Sequence, residues 1–381
     1  MDFSLSREQA ELRESVIRFA RRELADDVVQ RDAQGEFSRE LWRRCAVFGI
    51  QGLPIPEEYG GSGQDALSTI VALEALGYAC KDNGLLFSLN AQMWSCEIPI
   101  LKFGRDDQQR RYLPGLCDGS RIGVQAMSEP GAGSDAFSLR TSAERSGGGY
   151  ILNGTKTFIT NGPVADVFVV FARTDPSRGF AGISAFLVDR ETPGLAMSRE
   201  LHKMGLRTSP MAELSFQDCV VPADSLLGSP GAGLAIFNHS MDWERGCILA
   251  LALGTMQRQL ERCLGHAKER VQFGQPIGKF QAVSHRIADM KVRLEAARLL
   301  VYRYGWLKAH GKHTGMESAM AKLYLSECFL QSSLDALQIF GGYGYMTEYE
   351  LEREVRDAVG SRLYSGTSEI QRNIIAGGLG L

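Results

Sequence analysis

Glu244 stands in the run Met241-Asp242-Trp243-Glu244-Arg245-Gly246, and its helical neighbours decide how it is read. It lies seven residues after Phe237, three after Met241 and four before Ile248, so its carboxylate leaves an apolar stripe. Charged side chains seldom occupy such a stripe, and a carboxylate placed there is a candidate general base. The competing reading is a surface glutamate paired with Arg245 or Arg258. Two further segments could hold a polar ligand. Ala126-Met127-Ser128-Glu129-Pro130-Gly131-Ala132-Gly133-Ser134-Asp135 strings together small and hydroxyl residues that offer backbone N–H groups to a ligand, or it is a plain loop. Its Gly131–Ala136 portion fits the G-x-G-x-x-A pattern of dinucleotide folds. Pro130 precedes it and strand-like sequence follows, so the strand, turn and helix order of that fold is missing. Gln338-Ile339-Phe340-Gly341-Gly342-Tyr343-Gly344-Tyr345 has three glycines in four residues, which either cap a helix or let backbone approach a diphosphate closely.

Three stretches of different periodicity must position these residues. From Ser6 to about Gly119 the pattern is helical, with Leu12, Val16, Phe19, Ala20 and Leu24 at three-to-four spacing and Ser38, Asp65 and Asp106 expected as caps. Between about Ser120 and Gly228 the period becomes two. Strands are expected at Tyr150–Leu152, Thr155–Thr160, Val167–Ala172, Ile183–Val188 and Ala212–Phe216, with Asn153-Gly154 as a hairpin turn between the first two. Gly228–Gly233 reads as a linker, and helical periodicity returns from Leu234 to about Ile375. The expected domains are residues 1–119 (helical), 120–228 (β) and 229–381 (helical).

The chain has 381 residues, 44% of them apolar and 23% charged, with a net charge of −3. Such a chain can bury a large core and has no general affinity for polyanions, which argues against a nucleic-acid partner. Its eight cysteines lack any C-x-x-C pair and read as reduced core residues, favouring the cytoplasm. Met1 to Glu8 is charged where a leader would be apolar, and no run approaches the ~18 apolar residues of a membrane span, so no membrane association is expected. His310-Gly311-Lys312-His313 suits an exposed loop better than a metal site, and no metal is expected. Arg105 to Arg111 reads as a solvated helix start.

The two ligand-binding segments resemble the signature segments of the acyl-CoA dehydrogenase family, and the likeness covers nearly the whole chain. It continues in Thr157–Gly162, in Glu269–Gly274 with Phe280-Gln281, and in Gly366–Gln371. The resemblance implies an α+β fold with an N-terminal α-helical domain, a middle β-barrel-like domain and a C-terminal four-helix bundle, and it implies FAD as cofactor. Met127, Ser128, Phe158, Ile159 and Thr160 would hold the flavin, with the Phe158 ring against it and Thr160 near N5. Many relatives carry Trp where Phe158 stands. Arg270, Phe273 and Gln281 would reach the FAD of a neighbouring subunit, while Gln338, Gly341, Gly342, Thr367 and Glu369 would line its diphosphate and adenine end. A shared cofactor implies an oligomer, in this family usually a tetramer.

Family chemistry removes a proton from the α-carbon of an acyl thioester while a hydride leaves the β-carbon for flavin N5. Many members carry the base immediately before the Gly-Thr of the C-terminal motif, where this chain has Ser365. Relatives of the isovaleryl type supply it from a helix in an x-Glu-Arg element, which Glu244-Arg245 matches. The resemblance therefore implies Glu244 as base and the Ser365 N–H on the thioester oxygen, with Ser134, Asp242, Arg245, Tyr364 and Gly366 along the acyl-pantetheine arm. Leu86-Phe87-Ser88-Leu89, Met241–Cys247, and Ser365-Gly366-Thr367 with the Leu379-Gly380-Leu381 end resemble prolyl-carrier-protein oxidases of pyrrole-forming pathways. That subgroup implies an aminoacyl group on a carrier protein, L-proline leading. The alternative is a short or branched-chain acyl-CoA, and Ser198 to Gly205 is ordinary family sequence. The electron acceptor would be an electron-transferring flavoprotein or oxygen. Remote alternatives are a non-catalytic scaffold, which would need a decayed flavin site or a basic patch, and a flavin monooxygenase, which an intact candidate base disfavours.

Overall fold

The structure, a computed structural model, describes residues 4–25 and 28–381, with backbone alone at Ser198 and Arg199. The reading of Met1 to Glu8 falls outside the described residues at positions 1–3. Seven helices come first: α1 (Arg7–Glu23), α2 (Val28–Gln34), α3 (Arg39–Phe48), α4 (Ala66–Ala79), α5 (Asn83–Gln92), α6 (Ile98–Phe103) and α7 (Asp106–Cys117). Ser38 and Asp65 cap α3 and α4 by accepting from Leu41 N and Ser68 N. Asp106 does not cap. It is the first residue of α7, after Arg105 at the cap, where with Asp107 it adds negative charge to the positive end of the helix dipole.

Eight strands follow: β1 (Gly123–Ala126), β2 (Ser142–Ser146), β3 (Gly149–Thr160), β4 (Val167–Arg173), β5 (Ile183–Asp189), β6 (Leu195–Glu200), β7 (Met211–Pro222) and β8 (Leu226–Leu227). They form one mixed sheet in the order β6-β7-β3-β2-β4-β5-β8, with β1 parallel to β4. The expected hairpin at Asn153-Gly154 is not there, and β3 runs straight through it. Asn153 instead exchanges two hydrogen bonds with Asp218 of β7, accepting from its N (2.8 Å) and donating to its carboxylate (3.2 Å), and marks a bulge. Gly154 is required because a Cβ would lie 2.7 Å from Thr141 Cα. The true turn is at Gly147-Gly148, between β2 and β3.

The remaining helices are α8 (Gly233–Cys247), α9 (Ala250–Glu269), α10 (Gln281–Ala309), α11 (Gly315–Phe340), α12 (Leu351–Gly360) and α13 (Ser368–Gly378). A two-stranded hairpin, β9 (Val271–Gln272) with β10 (Gln275–Pro276), interrupts the expected run of helix between α9 and α10. Its turn places Phe273 and Gly274 at φ 50° and 80°, the left-handed pair that two-residue hairpins favour. N- and C-terminal helices share one hydrophobic core, running from Val16 to Ala358. Glycines permit the closest approach: a Cβ at Gly77 of α4 would sit 2.0 Å from Leu251 O, and one at Gly254 of α9 would sit 2.1 Å from Glu74 O. All eight cysteines are buried. Among the described residues no helix is long and apolar enough to cross a membrane.

One polar junction seats the sheet on the helices. Gln92 closes α5, and its amide donates to Leu116 O (3.0 Å) and to Glu97 Oε1 (2.7 Å) and accepts from Gly123 N (2.9 Å). Glu97 itself ends a π-helical turn (Met93–Glu97) and is fully enclosed. Burial pushes its pKa up to about 8, partly opposed by the Gln92 hydrogen bond. The folded state therefore holds a proton that the unfolded chain loses above about pH 4.3. The associated stability is complete below that value and is lost as pH rises towards 8. Glu97→Gln, which stays neutral, should flatten the fall in Tm between pH 5 and 8 and raise Tm at pH 8 by at least ~3 °C. Parallel curves for variant and wild type would show that Glu97 does not titrate in this way.

Candidate active site

Glu244 lies on α8 and is 9% exposed. It is not the surface ion pair of the competing reading, since Arg258 instead pairs with Glu354 (3.1 Å). Its partner is Ser365, whose Oγ donates to Glu244 Oε1 at 2.5 Å. Burial raises the Glu244 pKa above the usual carboxylate range, and the Ser365 hydroxyl, Arg245 and Lys322 oppose that rise in descending order. A carboxylate whose pKa is raised in this way is, once ionised, a stronger base than a solvated one.

Ser365 reaches Glu244 because its backbone is left-handed, with φ 57°, followed by Gly366 at φ 89°. A non-glycine residue there costs about 1–2 kcal/mol. Side chains from three helices hold the turn. Arg245 Nε of α8 donates to Ser365 O (3.3 Å), Lys322 Nζ of α11 to Gly366 O (2.7 Å), and Gln371 Nε2 of α13 to both carbonyls (3.1 and 2.8 Å). Hydrogen bonds from charged donors contribute about 1.5–3 kcal/mol each, so the clamp outweighs the backbone cost. Thr367 then caps α13 by accepting from Ile370 N, with Glu369 exposed in its first turn. Tyr364 packs its ring on Phe87 of α5, centroids 4.6 Å apart.

Asp242, on the same helix as Glu244, is engaged elsewhere. Its Oδ2 accepts from Lys308 Nζ (2.5 Å) and Thr314 Oγ1 (2.8 Å), while Oδ1 is buried without a partner. That orphan oxygen suits an N–H donor of a ligand. Ser134 is exposed in the loop after β1. This loop carries the G-x-G-x-x-A text and no following α-helix, only a short 3-10 turn at Ala136–Ser138.

A second group gathers where β1 and β3 end. Met127 is buried, and its carbonyl accepts from Lys156 Nζ (3.0 Å), which also binds Glu129 (2.8 Å). Burial alone would raise the Glu129 pKa, but Lys156, Thr141 and the Arg140 N–H override it and hold the carboxylate below its ordinary range. Ser128 O accepts from Thr157 N (2.9 Å), joining the two strand ends. The register of β3 on β7 slips between Lys156 and Ile159, and inside this bulge Phe158 takes φ 58° with its ring 65% exposed. The bulge turns an aromatic face outward at the cost of local strain, a pattern that marks ligand contacts. Thr160 is half-buried beside it, whereas the Ile159 side chain points into the sheet core and can offer only backbone.

A third group surrounds an open cavity of about 540 Å³ lined by Arg270, Gln272, Ile339, Gly341, Gly342 and Tyr343. A Cβ at Gly341 or Gly342 would meet nothing within 4 Å, and the Arg270 guanidinium lies over the Tyr343 ring, 5.7 Å from its centroid. Gln338 and Gln281 are exposed nearby in sequence, and Phe273 at the hairpin tip is 94% exposed. These residues fit a flavin dinucleotide in type: an outward aromatic face and a hydroxyl for the ring, and glycine backbone with an arginine for a diphosphate. Within the chain, the first two groups are joined through α5. Asn161, next to Thr160, donates to Ser88 O (3.0 Å), and the neighbouring Phe87 carries Tyr364 and so Ser365.

Lys322, Gln371, Asn161 and the Lys156–Glu129 pair were not singled out by sequence. Lys322 had the same signal as Glu244, a charge among the apolar neighbours Ala319, Ala321 and Leu325 on one helix. If the Ser365 hydroxyl holds the Glu244 carboxylate ionised, Ser365→Ala should move the Glu244 titration to higher pH. Difference infrared at the carboxyl stretch, referenced to Glu244→Gln, reads this directly, and an unmoved titration would contradict the assignment.

Three family models match the chain: the acyl-CoA dehydrogenase N-terminal domain over residues 6–120, the middle domain over 124–219 and the C-terminal domain over 231–380. The chain is 45% identical to the L-prolyl-[peptidyl-carrier protein] dehydrogenase of Serratia sp. (strain ATCC 39006), over 100% of this chain and 99% of that protein. Its fold is similar to that of the prolyl acyl carrier protein oxidase AnaB, at TM-score 0.98 and 49% identity, covering 99% of this chain and 100% of the other. It is equally similar to PigA with FAD and proline, at TM-score 0.98 and 45% identity, with both chains covered completely.

Proposed function

The chain belongs to the acyl-CoA dehydrogenase family, and we propose that it is an FAD-dependent dehydrogenase that oxidises the α,β-bond of an aminoacyl group, L-proline foremost, carried as a thioester on a carrier protein. The buried Glu244 carboxylate, hydrogen-bonded by Ser365 at the place where many family members carry a glutamate, carries this reading. FAD, when bound, supplies the acceptor for the hydride that leaves the β-carbon.

Glu244 takes the α-proton. Ser365 Oγ–H occupies Oε1, which leaves Oε2 for the proton. The Ser365 N–H makes no hydrogen bond among the described residues and donates to the thioester oxygen as negative charge develops there. Asp242 Oδ1 accepts an amide N–H of the pantetheine arm, and Arg245, Tyr364, Gly366 and Ser134 flank its course. Met127, Ser128, Phe158, the Ile159 backbone and Thr160 would hold the ring of FAD. Gln338, Gly341, Gly342, Thr367 and Glu369 would hold its diphosphate and adenine end, with Arg270, Phe273 and Gln281 reaching across from a neighbouring subunit. An apolar hairpin tip and the exposed Val292, Leu299 and Trp306 of α10 support a homotetramer. Eight reduced, buried cysteines support a cytoplasmic location. Oxygen or an electron-transferring flavoprotein would be the electron acceptor.

Glu244→Gln keeps size and hydrogen bonding while removing basicity. Stopped-flow flavin reduction by substrate should fall at least ~10²-fold with FAD content unchanged, and near-normal reduction would refute the role of Glu244. The carrier assignment is tested separately. A carrier-dependent enzyme replaces nucleotide contacts with protein surface, so prolyl-carrier protein should reduce the flavin at least ~10-fold faster than prolyl-CoA, about 1.4 kcal/mol of differential transition-state binding. Rapid turnover of a short acyl-CoA without response to any loaded carrier would return the protein to the CoA branch.

A further inference from the structure

The turn that presents Ser365 is held by a lysine with an unusual environment. Lys322 lies in the interior of α11, 0% exposed, between buried Ala321 and Leu325. Among the described residues its ammonium makes one hydrogen bond, to the neutral Gly366 carbonyl at 2.7 Å, and no ion pair within 4.0 Å. A buried ammonium without a carboxylate in contact is costly, and such groups persist where their charge acts on something nearby. The charged groups it faces are Arg245 of α8, Glu327 of its own helix, Glu244 of α8 and Glu369 of α13. Glu244 faces Arg245 and Lys322 in turn, together with the Ser365 hydroxyl, and Tyr364 faces Glu244 from the same segment.

We propose that Lys322 is a positioning residue for the reaction: its buried ammonium fixes the left-handed Ser365-Gly366 turn through the Gly366 carbonyl and, by its charge, favours the ionised form of Glu244. The inference rests on reading Glu244 as the base, and it adds a group that touches neither substrate nor cofactor. Two effects are separable because a neutral donor can keep the hydrogen bond while the charge is removed. The hydrogen bond sets where Ser365 stands, which governs the maximal rate. The charge sets the fraction of Glu244 ionised, which governs the pH at which the rate rises. Burial lowers the Lys322 pKa to about 8, with Arg245 acting in the same direction, so the ammonium is charged below that pH. Gln371 provides the control. It donates to the same Gly366 carbonyl at 2.8 Å and carries no charge.

The test is the pH dependence of flavin reduction in the FAD-loaded variants Lys322→Gln, Lys322→Met and Gln371→Leu. Lys322→Gln should shift the rising limb to higher pH, at least ~3-fold slower on that limb but within ~3-fold of wild type on the plateau. Lys322→Met should show the same shift with a lower plateau, and Gln371→Leu a lower plateau without a shift. Folded, FAD-containing Lys322 variants with the wild-type midpoint would overturn the proposal, as would an equal shift in Gln371→Leu. If the Lys322 variants do not fold alone, they are made in the Glu244→Gln background. A folded, FAD-containing Lys322→Met protein in that background would show the two charges to be coupled, and a failure to fold there as well would make Lys322 a purely structural residue. Glu244→Gln alone separates the two readings, because normal flavin reduction in that variant defeats the base assignment whatever Lys322 does.

Discussion

The hydrogen bond between Ser365 and Glu244 joins segments 121 residues apart, and the proposed chemistry depends on it. A carboxylate enclosed on α8 would by itself tend to stay protonated, because burial opposes its charge. The serine hydroxyl lowers that tendency without neutralising the base. The arrangement requires a residue in the left-handed region at a fixed point, and three helices meet there to supply the donors that hold it. The site is therefore a property of the helical assembly, not of a loop.

The same helices connect the proposed base to the proposed flavin edge of the sheet. α5 bonds to Asn161 at the end of β3 and packs Phe87 against Tyr364, one residue from Ser365. Gln92, at the other end of α5, ties that helix to β1. A displacement of the sheet relative to the helices would be felt both at the residues proposed to hold the flavin ring and at Glu244. Strain is concentrated at the working points, since Phe158 and Ser365 both adopt positive φ without being glycine.

Much of this was legible in the sequence because it has a period. The stripe through Phe237, Met241 and Ile248 located Glu244 as a buried carboxylate, and the change from helical to alternating periodicity located the sheet. Features that depend on partners distant in sequence were not legible. Asn153-Gly154 carries a strong local hairpin signal, yet tertiary pairing with Asp218 and the close pass of Thr141 turned it into a bulge within one long strand. Asp106 had the chemistry of a cap but stands one residue too far along, where Arg105 already begins the helix. The Ser365 hydroxyl was expected to be a bystander beside its own N–H, and only the left-handed turn reveals that it reaches the carboxylate. The short β9–β10 hairpin was hidden because its strands are two residues each and carry no periodicity.

Proton abstraction by Glu244 can be isolated from hydride transfer with a carrier-bound acyl thioester that has an α-hydrogen but no β-hydrogen. Incubated in D2O with the FAD-loaded protein, such a substrate should exchange its α-hydrogen for deuterium, followed by mass spectrometry. The wild-type protein is expected to catalyse this exchange and Glu244→Gln to do so at least ~10²-fold more slowly. Equal exchange by the two proteins would contradict the assignment of Glu244 as the base around which the site is built.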